Sequence, residues 1–542
     1  MDNLQERAQK RLRDEGDEPE DLPAPRQEGL ESLSRPISPP RKKSRQPPQT
    51  KVASCPIQTG SVVSSPWQLT WIRDLPEDQN RDAITLRDLL GDPLISECWE
   101  FNYLHDIPFL MESFDPDTRH LTKVHVVHGF WKQEDPNRLA LAEEASRFPN
   151  VQLHVAPMPE MFGTHHSKMM ILLRHDQTAQ VIIHTANMIP KDWTNMTNAV
   201  WKSPLLPMLP EGAAEDTSSL PRDQYPIGSG ETFKKDLISY LRSYDRRKVT
   251  CGPLAAELNK YDFSAVRAAL IASVPGRHAV HDVSQTAWGW AALKQHLREL
   301  PVKDGDAEIV VQISSIATLG AKDDWLQKTL FETLCKSTSK QDGKRPEFKV
   351  VFPTPDEIRQ SLDGYASGGS IHTRIQSAQQ AKQLQYLQPL FHHWANDSPA
   401  GKAVPDNVTK HDGHRSRASP HIKTYIRYNG DSIDWALLTS ANLSKQAWGE
   451  ATRQPSGEVR ISSWEIGVLL WPDLISPRAV MVPTFGTDTP DGGGDEDGER
   501  SLIGVRIPYN VPLQKYGPRE APWVASMVHA EPDRHGQVWT GY

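Results

Sequence analysis

The chain has 542 residues, 37 % of them apolar, and a formal net charge of −8. That charge argues against a globally basic nucleic-acid coat protein, so local positive charge would have to hold any anionic substrate. No run of about 18 apolar residues occurs, which excludes a transmembrane helix. The four cysteines are too widely spaced for a zinc or disulfide pattern.

A segment of biased composition comes first. Residues 1–64 are rich in Pro, Ser, Arg and Glu and poor in aromatic residues, which predicts a disordered N-terminal tail. Within it, the proline-flanked run Arg41-Lys42-Lys43-Ser44-Arg45 is typical of a nuclear import signal, and a merely solvated charge run is the alternative. We therefore expect a nuclear protein.

Predicted strands and helices alternate after the tail. Apolar runs predict strands over 124–129 and 151–157, with a helix over 138–148 between them. Beyond a boundary near residue 275, the pattern predicts helices and strands over 286–300, 308–314, 324–337 and 348–352, then a long amphipathic helix over 373–394. The alternation predicts an α/β fold in two halves, residues 65–275 and 276–542.

One short pattern occurs twice at the same spacing. It is His-x-Lys followed by Asn 21 residues after the His, at His166, Lys168 and Asn187 and again at His421, Lys423 and Asn442. In each copy a β-favouring run follows the His-x-Lys and a second apolar run precedes the Asn. A lone His is more often a satisfied core residue, but a matched set indicates an internal duplication of a chemical site.

The spacing has a geometric reason. Residues i and i+2 of a strand share one face, so each His lies beside its Lys, and a hairpin return would place each Asn at the same end. Two such halves packed together would bring two imidazoles, two ammoniums and two amides around one phosphorus-sized centre. This arrangement predicts a site at the junction between the halves.

These residue types suit phosphoryl transfer. Lysines act as point charges for phosphoryl oxygens, and two histidines suit covalent displacement, with one neutral and one protonated. Because lysines already supply the cations, we expect no metal and no other cofactor. A zinc site built from His165, His166 and His184 lacks a plausible ligand spacing.

Paired His-x-Lys and Asn sets resemble the phospholipase D superfamily. That superfamily usually has an Asp five residues after the Lys, where this chain has Leu173 and Tyr428. The tyrosyl-DNA phosphodiesterase branch lacks those aspartates, and the chain resembles it over roughly residues 66–542, most clearly in Phe162-Gly-Thr-His-His-Ser-Lys-Met-Met170 and Thr439-Ser-Ala-Asn-Leu-Ser-Lys445. The resemblance implies two similar α-β-α sandwich halves, related by a pseudo-twofold axis, with a single active site at their interface.

The resemblance also implies roles for the site residues. His166 would attack a DNA 3′-phosphodiester and become phosphohistidine, while His421 would protonate the leaving tyrosine oxygen and then activate water. Glu465 would orient the nucleophile, with a purely structural acid as the alternative. Asn198 stands where the family often has Gln to orient the second His. The non-bridging oxygens would be held by Lys168, Lys423, Asn187 and Asn442.

DNA contacts are implied in the same way. Phe162 would stack on a base, and the DNA backbone would be contacted by Ser315, Thr318, Ser370, Ser444 and Lys445. The plainer alternatives are a core position for Phe162, strand-end caps for Ser315 and Thr318, and a solvated surface charge for Lys445.

The expected function is that of a DNA-repair phosphodiesterase. We expect it to act as a monomer on single- or double-stranded DNA with a 3′ adduct, to release topoisomerase I-derived peptides, and to bind no membrane. The alternatives are a lipid phosphodiesterase of the wider superfamily and a catalytically inactive nucleic-acid scaffold. The missing motif aspartates argue against the first, and the complete His/Lys/Asn sets argue against the second.

Overall fold

The computed structural model describes residues 60–212, 225–246, 248–280, 286–338, 344–401, 408–452, 457–492 and 500–541. The basic run at residues 41–45 lies outside this described part. Residues 62–63, placed within the predicted tail, pair as a short strand with Leu502 and Ile503. No helix among the described residues has the length and apolarity to cross a membrane.

Strands account for most of the regular structure. In chain order they are β1 (Val62–Val63), β2 (Trp67–Leu69), β3 (Ile95–Phe101), β4 (Lys123–His128), β5 (Val151–Val155), β6 (Met169–Arg174), β7 (Thr178–His184), β8 (Ala199–Lys202), β9 (Leu206–Pro207), β10 (Ala269–Ser273), β11 (Gly276–Ala279), β12 (Ala307–Gln312), β13 (Glu347–Val351), β14 (Phe391–His392), β15 (Thr424–Asn429), β16 (Ser432–Thr439), β17 (Glu450–Ala451), β18 (Glu458–Ile461), β19 (Glu465–Leu470), β20 (Val480–Thr484) and β21 (Leu502–Arg506).

The helices are mostly short. They are α1 (Leu86–Leu90), α2 (Ile107–Ser113), α3 (Pro136–Ala145), α4 (Pro190–Thr194), α5 (Gly230–Arg242), α6 (Gly252–Leu258), α7 (Gly289–Leu297), α8 (Glu332–Leu334), α9 (Pro355–Arg359), α10 (Tyr365–Gly368), α11 (Ala378–Leu387), α12 (Lys445–Trp448) and α13 (Pro472–Ile475). A π-helical turn at Leu326–Phe331 leads into α8, and 3₁₀ turns lie at Glu77–Asn80, Ser243–Asp245 and Gln388–Leu390.

Two mixed sheets repeat one strand order. The first sheet contains β7-β6-β3-β4-β5, and the second contains β16-β15-β12-β13-β14. In each, a hairpin lies antiparallel beside the first of three parallel strands. The hairpins have matching registers, since Met169 pairs with Ile183 and Thr424 pairs with Leu438. The predicted α/β fold of two similar halves is therefore confirmed.

Buried residues form layers around these sheets. Alternate residues of β6 point to opposite faces: Met169 and Ile171 join a core shared with the second sheet, whereas Met170 and Leu172 pack under the helices of the first half. The shared core also contains Ile426 and Leu438 of the second hairpin. Both sheets therefore bury both faces, which explains why their strands are continuously apolar.

Sheet membership departs from the predicted boundary near residue 275. Strand β10 (Ala269–Ser273) precedes that boundary, yet it pairs with Glu465–Leu469 in the second sheet. The predicted helix over 373–394 is wrong in extent, because α11 covers Ala378–Leu387 and Phe391–His392 pairs instead with β13. Pairing at the edge of the sheet overrides the local helical periodicity there.

Candidate active site

Both His-x-Lys motifs lie just before the first strand of a hairpin. Lys168 precedes β6 and its carbonyl accepts from His184 N at 3.0 Å, while the carbonyl of Lys423, before β15, accepts from Thr439 N at 3.2 Å. Each motif therefore extends its hairpin by one backbone hydrogen bond, at the corresponding end of the two hairpins. The sequence placed the His and Lys within a strand, whereas in the structure they directly precede the first residue of each strand.

Each motif is held by the other half of the chain. His166 N donates to the carbonyl of Trp464 at 3.0 Å, directly before β19 of the second sheet. His421 N donates to the carbonyl of Thr197 at 2.9 Å, two residues before β8 of the first sheet. These crossed contacts bring the two motifs to one place.

The imidazoles are oriented by carboxylates that also cross between halves. His166 Nδ1 donates to Glu465 Oε2 at 2.9 Å, and His421 Nδ1 lies 3.0 Å from Asp192 Oδ2. Ser440 Oγ donates to the same oxygen of Glu465 at 2.5 Å. Because each Nδ1 is engaged, each ring has its Nε2 left for chemistry.

The orientation of the second imidazole differs from the prediction. Asn198 was predicted to orient His421, but its side chain accepts from Thr185 Oγ1 and donates to the backbone carbonyl of Asp192, both at 2.8 Å. The group beside the ring is the Asp192 carboxylate, which also accepts from Asn187 N at 2.6 Å. Asn198 thus supports α4, which carries Asp192, and the imidazole is oriented by the acid.

Sequence reasoning missed Asp192. It stands five residues after Asn187, but the residue five after Asn442 is Ala447, so the duplicated pattern has no second copy of this acid. The short helix α4, begun by Pro190, turns the carboxylate back toward the Asn. The sequence signal that could have identified Asp192 is an acid that follows only one of the two copies of the pattern.

Both lysines are fully buried at the centre of the site. Burial lowers the pKa of Lys168 to about 8, against the opposing charges of Glu465 and Asp192. Burial and then the neighbouring Lys168 lower the pKa of Lys423 well below its ordinary value. Lys168 Nζ donates to the carbonyl of His166 at 3.3 Å, and Lys423 Nζ donates to that of His421. An anion bound beside these two buried lysines would stabilise their charged forms.

The titration of the other groups follows from the same burial. Burial lowers the pKa of His166, with Glu465 opposing, and lowers the pKa of His421, with Lys423 adding to the effect and Asp192 opposing it. Burial acts to raise the pKa of Asp192, but His421 and the hydrogen bond from Asn187 hold it below its ordinary value. In the free protein both imidazoles are therefore neutral near pH 7.

The amides complete the set. Asn442 Oδ1 accepts from the backbone N–H groups of Ser314 and Ser315 at 3.0 and 2.9 Å, which turns its Nδ2 toward the cleft as a donor. Asn187 is fixed by its backbone, since its carbonyl accepts from Trp193 Nε1 at 3.0 Å. A cleft of about 620 Å³ is lined by His166, Asn187, His421, Asn442 and Glu465.

Most of the predicted DNA-contact residues line the same cleft, namely Phe162, Ser315, Thr318, Ser370 and Ser444. Phe162 is 83 % exposed, which excludes a core position, and it holds a positive φ of 62° at the rim. Lys445 is absent from the lining and pairs with Glu450 at 3.4 Å. Ser444 also caps α12, accepting from Gln446 N.

Other cleft residues were not predicted. Tyr103 follows β3, and its ring centroid lies 5.9 Å from that of His166. Arg374 lies within the segment that the sequence assigned to a helix, and His372 lies directly before that segment. His165 is a structural residue, because its ring joins the carbonyl of Asn102 at 2.8 Å and the hydroxyl of Tyr244 at 2.9 Å.

Two α/β halves that each contribute a His/Lys/Asn set to one site define a phosphodiesterase of the phospholipase D superfamily. The profile of the tyrosyl-DNA phosphodiesterase family matches residues 66–517. The chain therefore belongs to the tyrosyl-DNA phosphodiesterase family.

Individual relatives agree over nearly the whole chain. A probable tyrosyl-DNA phosphodiesterase of Schizosaccharomyces pombe is 31 % identical over 548 residues, covering 89 % of this chain and 97 % of the relative. Tyrosyl-DNA phosphodiesterase 1 of Arabidopsis thaliana is 30 % identical over 88 % of this chain and 77 % of its own. The crystal structure of the yeast tyrosyl-DNA phosphodiesterase aligns with a TM-score of 0.58 at 20 % identity, covering 84 % of this chain and 98 % of that one.

Proposed function

We propose that the protein hydrolyses 3′-phosphotyrosyl diesters, and other 3′-blocked ends, of single- or double-stranded DNA through a phosphohistidine. The observation that carries the proposal is the pair of buried lysines, Lys168 and Lys423, beside the two imidazoles that Glu465 and Asp192 contact. Such a site binds a phosphodiester between its cations and leaves one nucleophile and one proton carrier beside the phosphorus.

His166 is the nucleophile in this proposal. Its Nδ1–H is held by Glu465, so the Nε2 lone pair faces the cleft. As the bond from Nε2 to phosphorus forms, the bond from phosphorus to the tyrosine oxygen breaks. Glu465 then stabilises the positive charge that develops on the ring.

His421 carries the proton. The negative phosphodiester and Asp192 together raise the pKa of this ring in the complex, so that it takes up a proton and passes it from Nε2 to the departing phenolate. In the second step the now neutral ring accepts a proton from water, whose oxygen attacks phosphorus. The bond from phosphorus to His166 breaks, and a DNA 3′-phosphate and the free enzyme result.

The lysines and amides hold the charge of the reacting phosphoryl group. Lys168, Lys423, Asn187 and Asn442 supply ammonium and amide donors to the non-bridging oxygens, so the proposed reaction requires no metal. Phe162 at the rim stacks on a base, and the cleft-lining Ser315, Thr318, Ser370 and Ser444 contact the DNA backbone.

The adduct and the cellular setting belong to the same proposal. The names of the relatives specify a tyrosyl-DNA bond, and topoisomerase I-derived peptides on DNA 3′ ends contain that bond. One chain supplies both histidine sets, which supports action as a monomer. The basic run at residues 41–45 supports nuclear import.

The test compares a 3′-phosphotyrosyl oligonucleotide with phosphatidylcholine. We expect cleavage of the oligonucleotide only. The motif aspartates that are usual in the wider superfamily, which includes lipid phosphodiesterases, are replaced here by Leu173 and Tyr428. His421→Ala should accumulate a DNA-linked protein, visible as a denaturation-resistant band shift, since the phenolate with its conjugate acid pKa of about 10 leaves partly unassisted. His166→Ala and the double variant should form no such adduct. Trapping by His166→Ala alone would reverse the two roles.

A further inference from the structure

A second cavity lies on the first half of the chain. Its volume is about 410 Å³, and Trp131, Pro157, Met158 and Lys248 line it. It contains no carboxylate in its lining. This size falls within the range of pockets that hold small ligand groups.

The strand order places this cavity beside the reacting groups. Strands β3, β4 and β5 are parallel and end at the edge where the antiparallel β6 begins. Tyr103, Trp131 and Met158 follow those three strands in turn. The Tyr103 ring lies 5.9 Å from His166 on one side and 6.3 Å from Phe130 on the other. Tyr103, Phe130 and the neighbouring Trp131 define a rim that begins beside His166.

The exposed groups on this rim are aromatic and cationic. Trp131 is 59 % exposed, and Lys132 Nζ lies 5.5 Å from its ring centroid. Arg138 Nη1 donates to the carbonyl of Trp131 at 3.0 Å, which fixes the loop on α3. Within the described ranges, neither Lys132 nor Lys248 forms an ion pair.

Two acids of this region, Asp135 and Glu160, are already engaged. Asp135 accepts from Asn137 N at 2.9 Å as the N-cap of α3, and Glu160 lies 3.5 Å from Arg460. Glu134 is the remaining acid of the loop. Exposed lysines beside a flat aromatic ring are the combination with which proteins hold single-stranded nucleic acid.

We propose that Trp131, with Lys132 and Lys248, is a stacking platform for an unpaired nucleotide on the 5′ side of the adduct. This inference rests on the proposed function. Two strand spacings separate the segment of His166 from that of Trp131, or about 10 Å. At roughly 3.4 Å per stacked nucleotide, that distance corresponds to about three nucleotides. The cations favour a nucleotide over an aromatic residue of the adduct peptide.

The experiment compares substrate lengths. Trp131→Ala should raise KM about 5- to 10-fold for a 3′-phosphotyrosyl oligonucleotide of about 12 nucleotides and leave one of about 2 nucleotides unchanged, with kcat unaffected for both. Trp131→Phe should behave nearly as the native protein because it keeps an aromatic face. Leu121→Ala is the matched control, since Leu121 is 68 % exposed at the opposite end of β4.

The lysines give a second readout. Lys248→Gln should reduce the slope of log KM against log salt concentration by about 0.7 for the longer substrate. Equal effects on both lengths, no effect of Trp131→Ala, or an effect that follows peptide length would each overturn the proposal.

A binding measurement separates this proposal from the proposed function. The native protein and Trp131→Ala are titrated by fluorescence anisotropy with an oligonucleotide of about 12 nucleotides ending in a 3′-phosphate, which needs no cleavage. Weaker binding by Trp131→Ala supports the platform even if the native protein cleaves no 3′-phosphotyrosyl end. Equal binding by the two proteins refutes the platform even if the native protein does cleave a 3′-phosphotyrosyl end.

Discussion

Replacing Asp192 with Asn tests the orientation of His421 directly. The substitution keeps an oxygen that can accept from Asn187 N, and it removes only the charge that faces His421 Nδ1 at 3.0 Å. Two unit charges at 3.0 Å attract by about 5 kcal/mol at an effective dielectric constant near 20. The amide dipole retains part of this attraction, so we expect the loss to be about 2–4 kcal/mol when the ring is protonated.

That loss predicts a fall in kcat of about 30- to 1000-fold. Single-turnover kinetics with a 3′-phosphotyrosyl oligonucleotide would measure adduct formation and hydrolysis separately. Because Asp192 raises the pKa of the bound His421, Asp192→Asn should also move the alkaline limb of the kcat profile to lower pH. Asp356→Asn, a change at an exposed acid paired with Arg359, is the control and should leave kcat unchanged.

The reasoning would be refuted if Asp192→Asn kept native kcat and an unmoved pH profile while melting like the native protein. Asn198→Ala extends the test. Asn198 holds the backbone of Asp192 through one hydrogen bond, so its loss should lower kcat in the same direction by a smaller factor, about tenfold or less.

Three further predictions follow from the site and the sequence. Both lysines must be charged to hold the phosphate in the proposed reaction, and burial lowers the pKa of Lys168 to about 8 and that of Lys423 well below its ordinary value, so kcat/KM should already be falling by pH 8. A pH profile that stays flat to about pH 10, where an ordinary lysine titrates, would contradict this. Activity should survive excess chelator, and a loss restored only by a divalent cation would contradict the role given to the lysines. Deleting residues 1–59 should leave cleavage by the purified enzyme unchanged but impair nuclear accumulation, as microscopy would show; a large drop in purified activity would mean that this segment contributes to the site.

Most of the site residues could be predicted from the sequence because they belong to the duplicated pattern. The matching separations in both copies predicted two hairpins, and these are β6/β7 and β15/β16. Glu465 opens a strand and contacts His166 Nδ1, which is the contact that the family resemblance implied. What repeats in a sequence can be found by its spacing, and the central cations and imidazoles all repeat.

The remaining features depend on contacts that no local pattern encodes. Asp192 belongs to only one half, and its position follows from the turn of α4. The segment with His372 and Arg374 is held by bonds to distant loops, including His372 N to the carbonyl of Ser314 at 3.0 Å. Strand β10 joins the second sheet through pairing with β19, almost 200 residues later along the chain. Such long-range pairings override local preference.

The crossed carboxylates also set when the enzyme can first act during its own synthesis. Glu465 is 299 residues beyond His166, so a nascent chain of which only the first half has left the ribosome presents the proposed nucleophile without its orienting acid. His421 and Lys423 are likewise missing at that stage. By the proposed mechanism, the nascent chain therefore forms no covalent bond to DNA until the second half has left the ribosome and folded against the first.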